Sequence, residues 1–204
     1  MLKEIIIATK NKGKVKDFEV LLNDKGYQVS SLLDFPEIKD VEETGITFVE
    51  NATLKAEEIA GVLNKMVIAD DSGLSIDALE GRPGVYSARY AGEEKSDQAN
   101  IEKVLNELEG VPTEDRTARF HCALALAIPN EKTLVVEGTC EGAITFKQEG
   151  DNGFGYDPIF FVKEQNKTMA QLTSAEKSKI SHRGNALKKL EQVINDLFKE
   201  GNSK

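Results

Sequence analysis

Residues 117–127, TARFHCALALA, set Ala118, Phe120, Cys122, Leu124 and Leu126 at every second position, with Arg119 and His121 between the first three. Side chains along an extended chain alternate between two faces, so a two-residue period reads as a strand rather than a helix. Residues 134–146 answer it across the turn PNEK, and the two runs predict a long β-hairpin. The rest of the chain alternates strands with helices. A β-branched run over 2–8 is followed by loop residues and then by Val15, Phe18, Leu21 and Leu22 at helical spacing, with a second strand expected over 28–32. Thr47 and Glu50 form a capping-box pattern ahead of the stripe Phe48, Ala52, Ala56, Ile59 and Leu63, which starts a helix just after Glu43 and puts the next strand at 66–69. Ser96 caps a helix bearing Ile101, Val104, Leu105 and Leu108, closed by Gly110 and Pro112. Leu187, Leu190, Val193, Ile194, Leu197 and Phe198 make a last helical stripe. Without an internal repeat or low-complexity linker, residues 1–204 read as one α/β domain carrying a hairpin.

Charge narrows the function. With 35 acidic against 26 basic residues the net charge is -9, which argues against general affinity for nucleic acid or anionic membranes. KNKGKVK, residues 10–16, reverses that balance with four lysines and no acid, so any anion site must be local. The opening MLKEIIIATKN has too short an apolar run for a signal peptide, and no window approaches the roughly 20 apolar residues of a membrane span. A soluble cytoplasmic protein is expected. Cys122 and Cys140 stand in apolar strands without metal-ligand spacing and read as buried, reduced thiols.

Four segments carry residues suited to chemistry. ATKNKGK, residues 8–14, lacks the first glycine and closing hydroxyl residue of a P-loop. It nevertheless sets hydroxyl, amide and ammonium groups at a helix start, where free N–H groups and the helix dipole favour a phosphate; a solvated, lysine-rich helix start is the plainer reading. Glu43 lies at the entry to a helix on which Asn51 and Lys55, four apart, share a face and could contact one ligand. An acid near a helix N-terminus with an exposed lysine would look the same. VIADDSGL, residues 67–74, ends a strand in Asp70 and Asp71 and then turns through Ser72 and Gly73. Open α/β sheets place ligands just past such strand ends, and Mg²⁺ takes one or two carboxylates together with substrate phosphates, which Asp71 with Glu43 would supply. Both aspartates capping the turn is the alternative. In GFGYDPIFF, residues 153–161, two glycines allow close approach and Phe154 and Tyr156 offer flat faces for a base. In SHRGNAL, residues 181–187, His182 and Arg183 offer donors for its edge, with Lys177 a further phosphate contact. Core aromatics and a solvated His-Arg helix start are the plainer account.

In this order and across nearly the whole chain, TKNKGK, EETGITFVENATLKA, ADDSGL, GRPGVYSARYAG, GFGYDPIF and EKSKISHRGNAL resemble the inosine triphosphate pyrophosphatase family, the XTP/dITP diphosphatases. The resemblance implies an elongated mixed sheet with flanking helices and two lobes around a central nucleotide-binding cleft. It implies hydrolysis of ITP, dITP and XTP to the monophosphate and pyrophosphate with Mg²⁺, cleansing the nucleotide pool, by a cytoplasmic homodimer with no nucleic-acid or membrane partner. Carried over by residue, Thr9, Lys10, Asn11, Lys12, Gly13 and Lys14 form the phosphate-binding loop, Lys10 and Lys12 contributing only long-range attraction. Glu43 and Asp71 hold the metal, Asp71 is also the proton acceptor, and Ser72 contacts substrate. Phe154, Gly155, Tyr156 and Asp157 match the base-binding stretch, and Lys177, His182 and Arg183 the remaining contacts; Asn51 and Lys55 add contacts from their shared helical face.

Mechanistic expectations follow. Asp71 orients or deprotonates the water that attacks the α-phosphorus with Mg²⁺ assistance. Hypoxanthine and xanthine present a keto oxygen where adenine has an amino group, so a buried donor from Arg183, His182 or a backbone N–H would be left unpaired by ATP. Asp70 is expected to face away from the metal and brace the loop through backbone hydrogen bonds.

Overall fold

The computed structural model describes residues 3–23 and 26–200; Leu2 lies outside the described residues, and so do the side chains of Leu21, Leu197 and Phe198. The first strand, β1 (Lys3–Ile7), leads through a short loop into α1 (Lys12–Asn23) and back to β2 (Tyr27–Ser31), which pairs parallel to β1 with Ile5 opposite Val29. There follow α2 (Phe48–Leu63), β3 (Val67–Ile76) and α3 (Asp97–Glu107). The predicted hairpin is β4 (Thr117–Ala127) beside β5 (Leu134–Ile144). The short strands β6 (Phe160–Val162) and β7 (Lys167–Thr168) precede α4 (Ser174–Ile180) and α5 (His182–Glu200). One open seven-stranded sheet runs in the order β2-β1-β3-β4-β5-β6-β7. It is mixed, with β1 parallel to β2 and β3 while β6 is antiparallel to β5 and β7, as expected of an α/β fold with flanking helices. Among the described residues no helix is long and apolar enough to cross a membrane.

The chain divides into two compact units, one of residues 1–71, 123–137 and 186–204, the other of 72–122 and 138–185. In the first unit Ala52, Ala56, Ile59 and Ala60 of α2 pack with Ile6, Val67, Ala69, Ala123 and Ala125. Thr47 caps α2 as its sequence predicts, accepting from Glu50 N at 3.1 Å while Glu50 returns a bond to Thr47 N. The helix therefore begins at Phe48, which leaves Glu43 in the preceding loop instead of at the helix entry. In the second unit Leu74, Ile76, Ile101, Val104, Leu108, Phe120, Tyr156 and Phe160 form one apolar cluster. Arg116 is buried beside it, its guanidinium donating to the carbonyls of Leu108, Ile144 and Thr145 at 2.9–3.0 Å.

One expectation about strands fails. Instead of ending near Ala69 and turning at Ser72–Gly73, β3 continues to Ile76. Leu74 and Ile76, both fully buried, enter the second unit's core, and Leu74 N–H donates to Ser87 Oγ at 2.8 Å. Core burial at alternate positions overrides the turn preference of Asp-Asp-Ser-Gly. Cys122 and Cys140 are both buried, as expected; burial, with Glu141 and Glu164 adding repulsion, pushes the Cys140 thiol up to about 11.

Candidate active site

In the first unit β3 and α2 bring together residues far apart in the chain. Lys55 Nζ donates to Glu43 Oε1 at 2.9 Å, to Asp71 Oδ1 at 3.0 Å and to the Asp70 carbonyl at 2.9 Å. Asp70, expected to brace a loop through backbone bonds, pairs its carboxylate with Lys14 from the start of α1. Because β3 is extended here, successive carboxylates go to different lysines. The carboxylates of Glu43, Asp70 and Asp71 are thus set against the ammonium groups of Lys14 and Lys55. Burial alone pulls the Lys55 ammonium down, but Asp71 and Glu43, with Asp70, hold it above its ordinary value. Asp71 is raised: burial outweighs the attraction of Lys55, and Glu43 adds repulsion. Asp71 Oδ2 is buried and has no hydrogen-bond partner among the described residues. Asn51 does not join Lys55 on these carboxylates; its Oδ1 accepts from Gly45 N at 2.8 Å.

The expected phosphate loop has an internal order of its own. Asn11 Oδ1 accepts from Gly13 N at 2.9 Å and Lys14 N at 3.2 Å, and Thr9 Oγ1 accepts from Asn11 N at 3.1 Å. Asn11 is therefore the N-cap of α1, and two N–H groups expected to be free for a phosphate are bonded to it. Lys10 turns to Asp40 at 2.8 Å and to the Ile38 carbonyl at 3.3 Å, while Lys12 is exposed.

The second unit gathers the other expected residues around one aromatic ring. Phe154, 42% exposed, has Lys177 Nζ 5.2 Å and Arg183 Cζ 5.8 Å from its centroid, within cation–π range. Lys177 is paired with Asp157, whose buried carboxylate also accepts from Phe154 N at 3.0 Å. Gly153, at φ +84°, passes so close to that carboxylate that a Cβ would strike it. His182 and Arg183 open α5 but are buried, which overturns their reading as a solvated helix start. His182 stacks on Phe120 at 4.7 Å, and Arg183 donates to Ser72 Oγ at 3.1 Å. Tyr156 is 5% exposed, its hydroxyl donating to the Ser87 carbonyl at 2.8 Å, so it presents no open face. Two residues not singled out in the sequence support this stretch: Asp97, which accepts from Gly155 N at 2.7 Å, and Ser87. Asp97, directly after the Ser96 cap, is an acid in a helix's first turn; Ser87 gives no local signal.

The model of the Ham1 family matches residues 5–193. The chain belongs to the Ham1 family. It is 63% identical, over 193 residues, to the dITP/XTP pyrophosphatase of Halalkalibacterium halodurans, an alignment covering 95% of this chain and 100% of the relative. The dITP/XTP pyrophosphatase of Bacillus subtilis is also 63% identical, over 95% of this chain and 98% of its own length. Among solved structures, the Staphylococcus aureus Ham1 protein is 52% identical and superposes with a TM-score of 0.87, covering 95% of this chain and 99% of that one. The resemblance and the mixed sheet expected of this Ham1 chain are borne out.

Proposed function

We propose that this Ham1-family chain hydrolyses ITP, dITP and XTP to the nucleoside monophosphate and pyrophosphate, and so removes deaminated purine nucleotides from the cytoplasmic pool. Its relatives named dITP/XTP pyrophosphatase support the reaction class. The observation that carries a hydrolytic reading is Asp71: a buried carboxylate with one oxygen on Lys55 and the other without a hydrogen-bond partner among the described residues, in a cluster with Glu43. In the reaction Asp71 takes a proton from water as the water oxygen bonds to the α-phosphorus, and the bond from that phosphorus to the bridging oxygen breaks to release pyrophosphate. Lys14 and Lys55 offset charge on the triphosphate.

The residues fit Mg²⁺. Among the described residues no three acidic, histidine or cysteine side chains converge to hold a metal by themselves, but Mg²⁺ is commonly held by two carboxylates plus water and substrate phosphates. The buried Asp71 Oδ2, without a hydrogen-bond partner among the described residues, and the Glu43 carboxylate on the same Lys55 ammonium suit a hard cation, and Glu43 and Asp71 would hold it. When bound, Mg²⁺ supplies neutralisation of phosphate charge and lowers the pKa of water.

In the second unit Phe154 would stack on the base, with Gly155, Tyr156 and Asp157 shaping that stretch and Ser72 a further substrate contact. Arg183 and His182, held by Ser72 and Phe120, supply donors for a 6-keto oxygen. A homodimer is part of this reading, and size-exclusion chromatography at micromolar concentration tests it. For the activity, the protein is incubated with ITP, dITP, XTP, ATP and GTP plus Mg²⁺, and pyrophosphate is separated from orthophosphate. Pyrophosphate from the first three, at about 10²-fold or more over ATP, is expected. Orthophosphate as product, or no product at all, overturns the proposal.

A further inference from the structure

The loop that carries Glu43 is fastened to the N-terminal turns of α2 at four points. Gly45 N donates to Asn51 Oδ1 at 2.8 Å, Ile46 N and Thr47 N donate to Glu50 Oε2 at 2.8 and 3.2 Å, and Glu43 itself receives Lys55 Nζ at 2.9 Å. Of these, Asn51 is the deepest. It is 1% exposed, and its Nδ2 is buried without a hydrogen-bond partner among the described residues. A buried amide donor with no acceptor is a cost that an apolar side chain of similar size would not carry. The return is a single bond, to the residue two places after Glu43. The fit is close on both sides: a Cβ on Gly45 would lie 2.7 Å from Asn51 Oδ1, 2.7 Å from Glu50 Cβ and 3.1 Å from Asn51 N.

We infer that Asn51 is a positioning residue for the Glu43 carboxylate: it contacts neither substrate nor metal but, through Gly45, sets where Glu43 stands relative to Asp71. The two roles on this face of α2 then separate by one helical turn. Lys55 neutralises the carboxylates, and Asn51 fixes the backbone from which one of them projects. The inference rests on the reading of Glu43 as a metal ligand. It is tested by binding of Mn²⁺ alone, titrated against the full chain and followed by electron paramagnetic resonance, beside melting curves and the Mg²⁺ concentration giving half-maximal ITP hydrolysis.

Asn51→Leu keeps the volume and removes the unpaired donor while leaving the half-buried Gly45 N–H without its acceptor, so the two effects offset and it should melt close to the wild type. It should nonetheless bind Mn²⁺ about tenfold more weakly and need about tenfold more Mg²⁺ for half activation, the usual effect of losing a group that orients a metal ligand. Asn51→Asp keeps the acceptor for Gly45 N–H and should bind Mn²⁺ at least as tightly as the wild type. In a Glu43→Gln background, where the ligand being positioned is already lost, adding Asn51→Leu should change Mn²⁺ affinity less than about twofold, because two residues acting through one contact are not additive. Wild-type Mn²⁺ affinity in Asn51→Leu, with weakened binding in Glu43→Gln, overturns the positioning role alone. Unchanged binding in Glu43→Gln overturns the metal reading of Glu43 and this inference with it. Weakened binding in Asn51→Asp equal to that in Asn51→Leu would also overturn it, since the acceptor would then not be what matters.

Discussion

The two units hold their cations differently. In the first, Lys14 and Lys55 are each set against carboxylates on β3, and Lys55 against Glu43 as well. In the second, Lys177 has one carboxylate, Arg183 has the Ser72 hydroxyl, and both lie against the Phe154 ring. The first is a polar cluster whose energetics change most when another cation or an anion arrives. The second is arranged around a π-face, which offers a flat surface for stacking.

Substitutions can break that comparison. Asp71→Asn should reduce kcat by about 10²- to 10⁴-fold with the fold retained, read by pyrophosphate release and circular dichroism. Activity above about a tenth of wild type would remove Asp71 from the proton-transfer role. Arg183→Leu removes a donor from the second unit only; the preference for ITP over ATP should fall by about 10-fold or more, measured as the ratio of kcat/KM values. An unchanged ratio would move base selection elsewhere. Phe154→Ala should raise KM about tenfold with kcat nearly unchanged, since base stacking is worth about 1–3 kcal/mol. Equal losses in kcat would mean that the ring serves the reacting end.

Two smaller effects sharpen the contrast. Asp71 is raised above its ordinary 3.8 by burial, so without metal the folded protein binds this proton more tightly than the unfolded chain does. Its contribution to stability therefore declines as pH climbs from 3.8 through the raised value. Melting curves of the metal-free wild type should show that decline, and those of Asp71→Asn should lack it; parallel curves would contradict the shift. Lys10, paired with the exposed Asp40, belongs to neither cluster. Lys10→Ala should change kcat/KM less than about threefold, and any change should shrink in high salt, as expected of long-range attraction.

How much was legible depended on distance along the chain. The hairpin over residues 117–144 and the Thr47–Glu50 capping box could be read because each is a local pattern with a fixed period or spacing. The continuation of β3 through Asp70–Gly73 could not, because those residues favour turns and only the burial of Leu74 and Ile76 draws the chain onward. The pairing of Lys14 with Asp70 joins residues 56 positions apart, and no sequence window spans that. The capping role of Asn11 was legible and passed over: an asparagine ahead of a helical stripe is an N-cap signal, but its neighbours drew attention to phosphate. His182 and Arg183 look like solvent-facing residues at a helix start, and only the tertiary structure shows them buried.

The Asn11 cap has a consequence for competition at the start of α1. An anion that seeks the N–H groups of Gly13 and Lys14 meets a rival already tethered beside them, whose effective concentration no free ligand matches. A single phosphate group would have to displace it unaided. A chain of three would bring its other contacts along, so under the proposed function the cap would set a threshold favouring the polyphosphate over inorganic phosphate and over the monophosphate product.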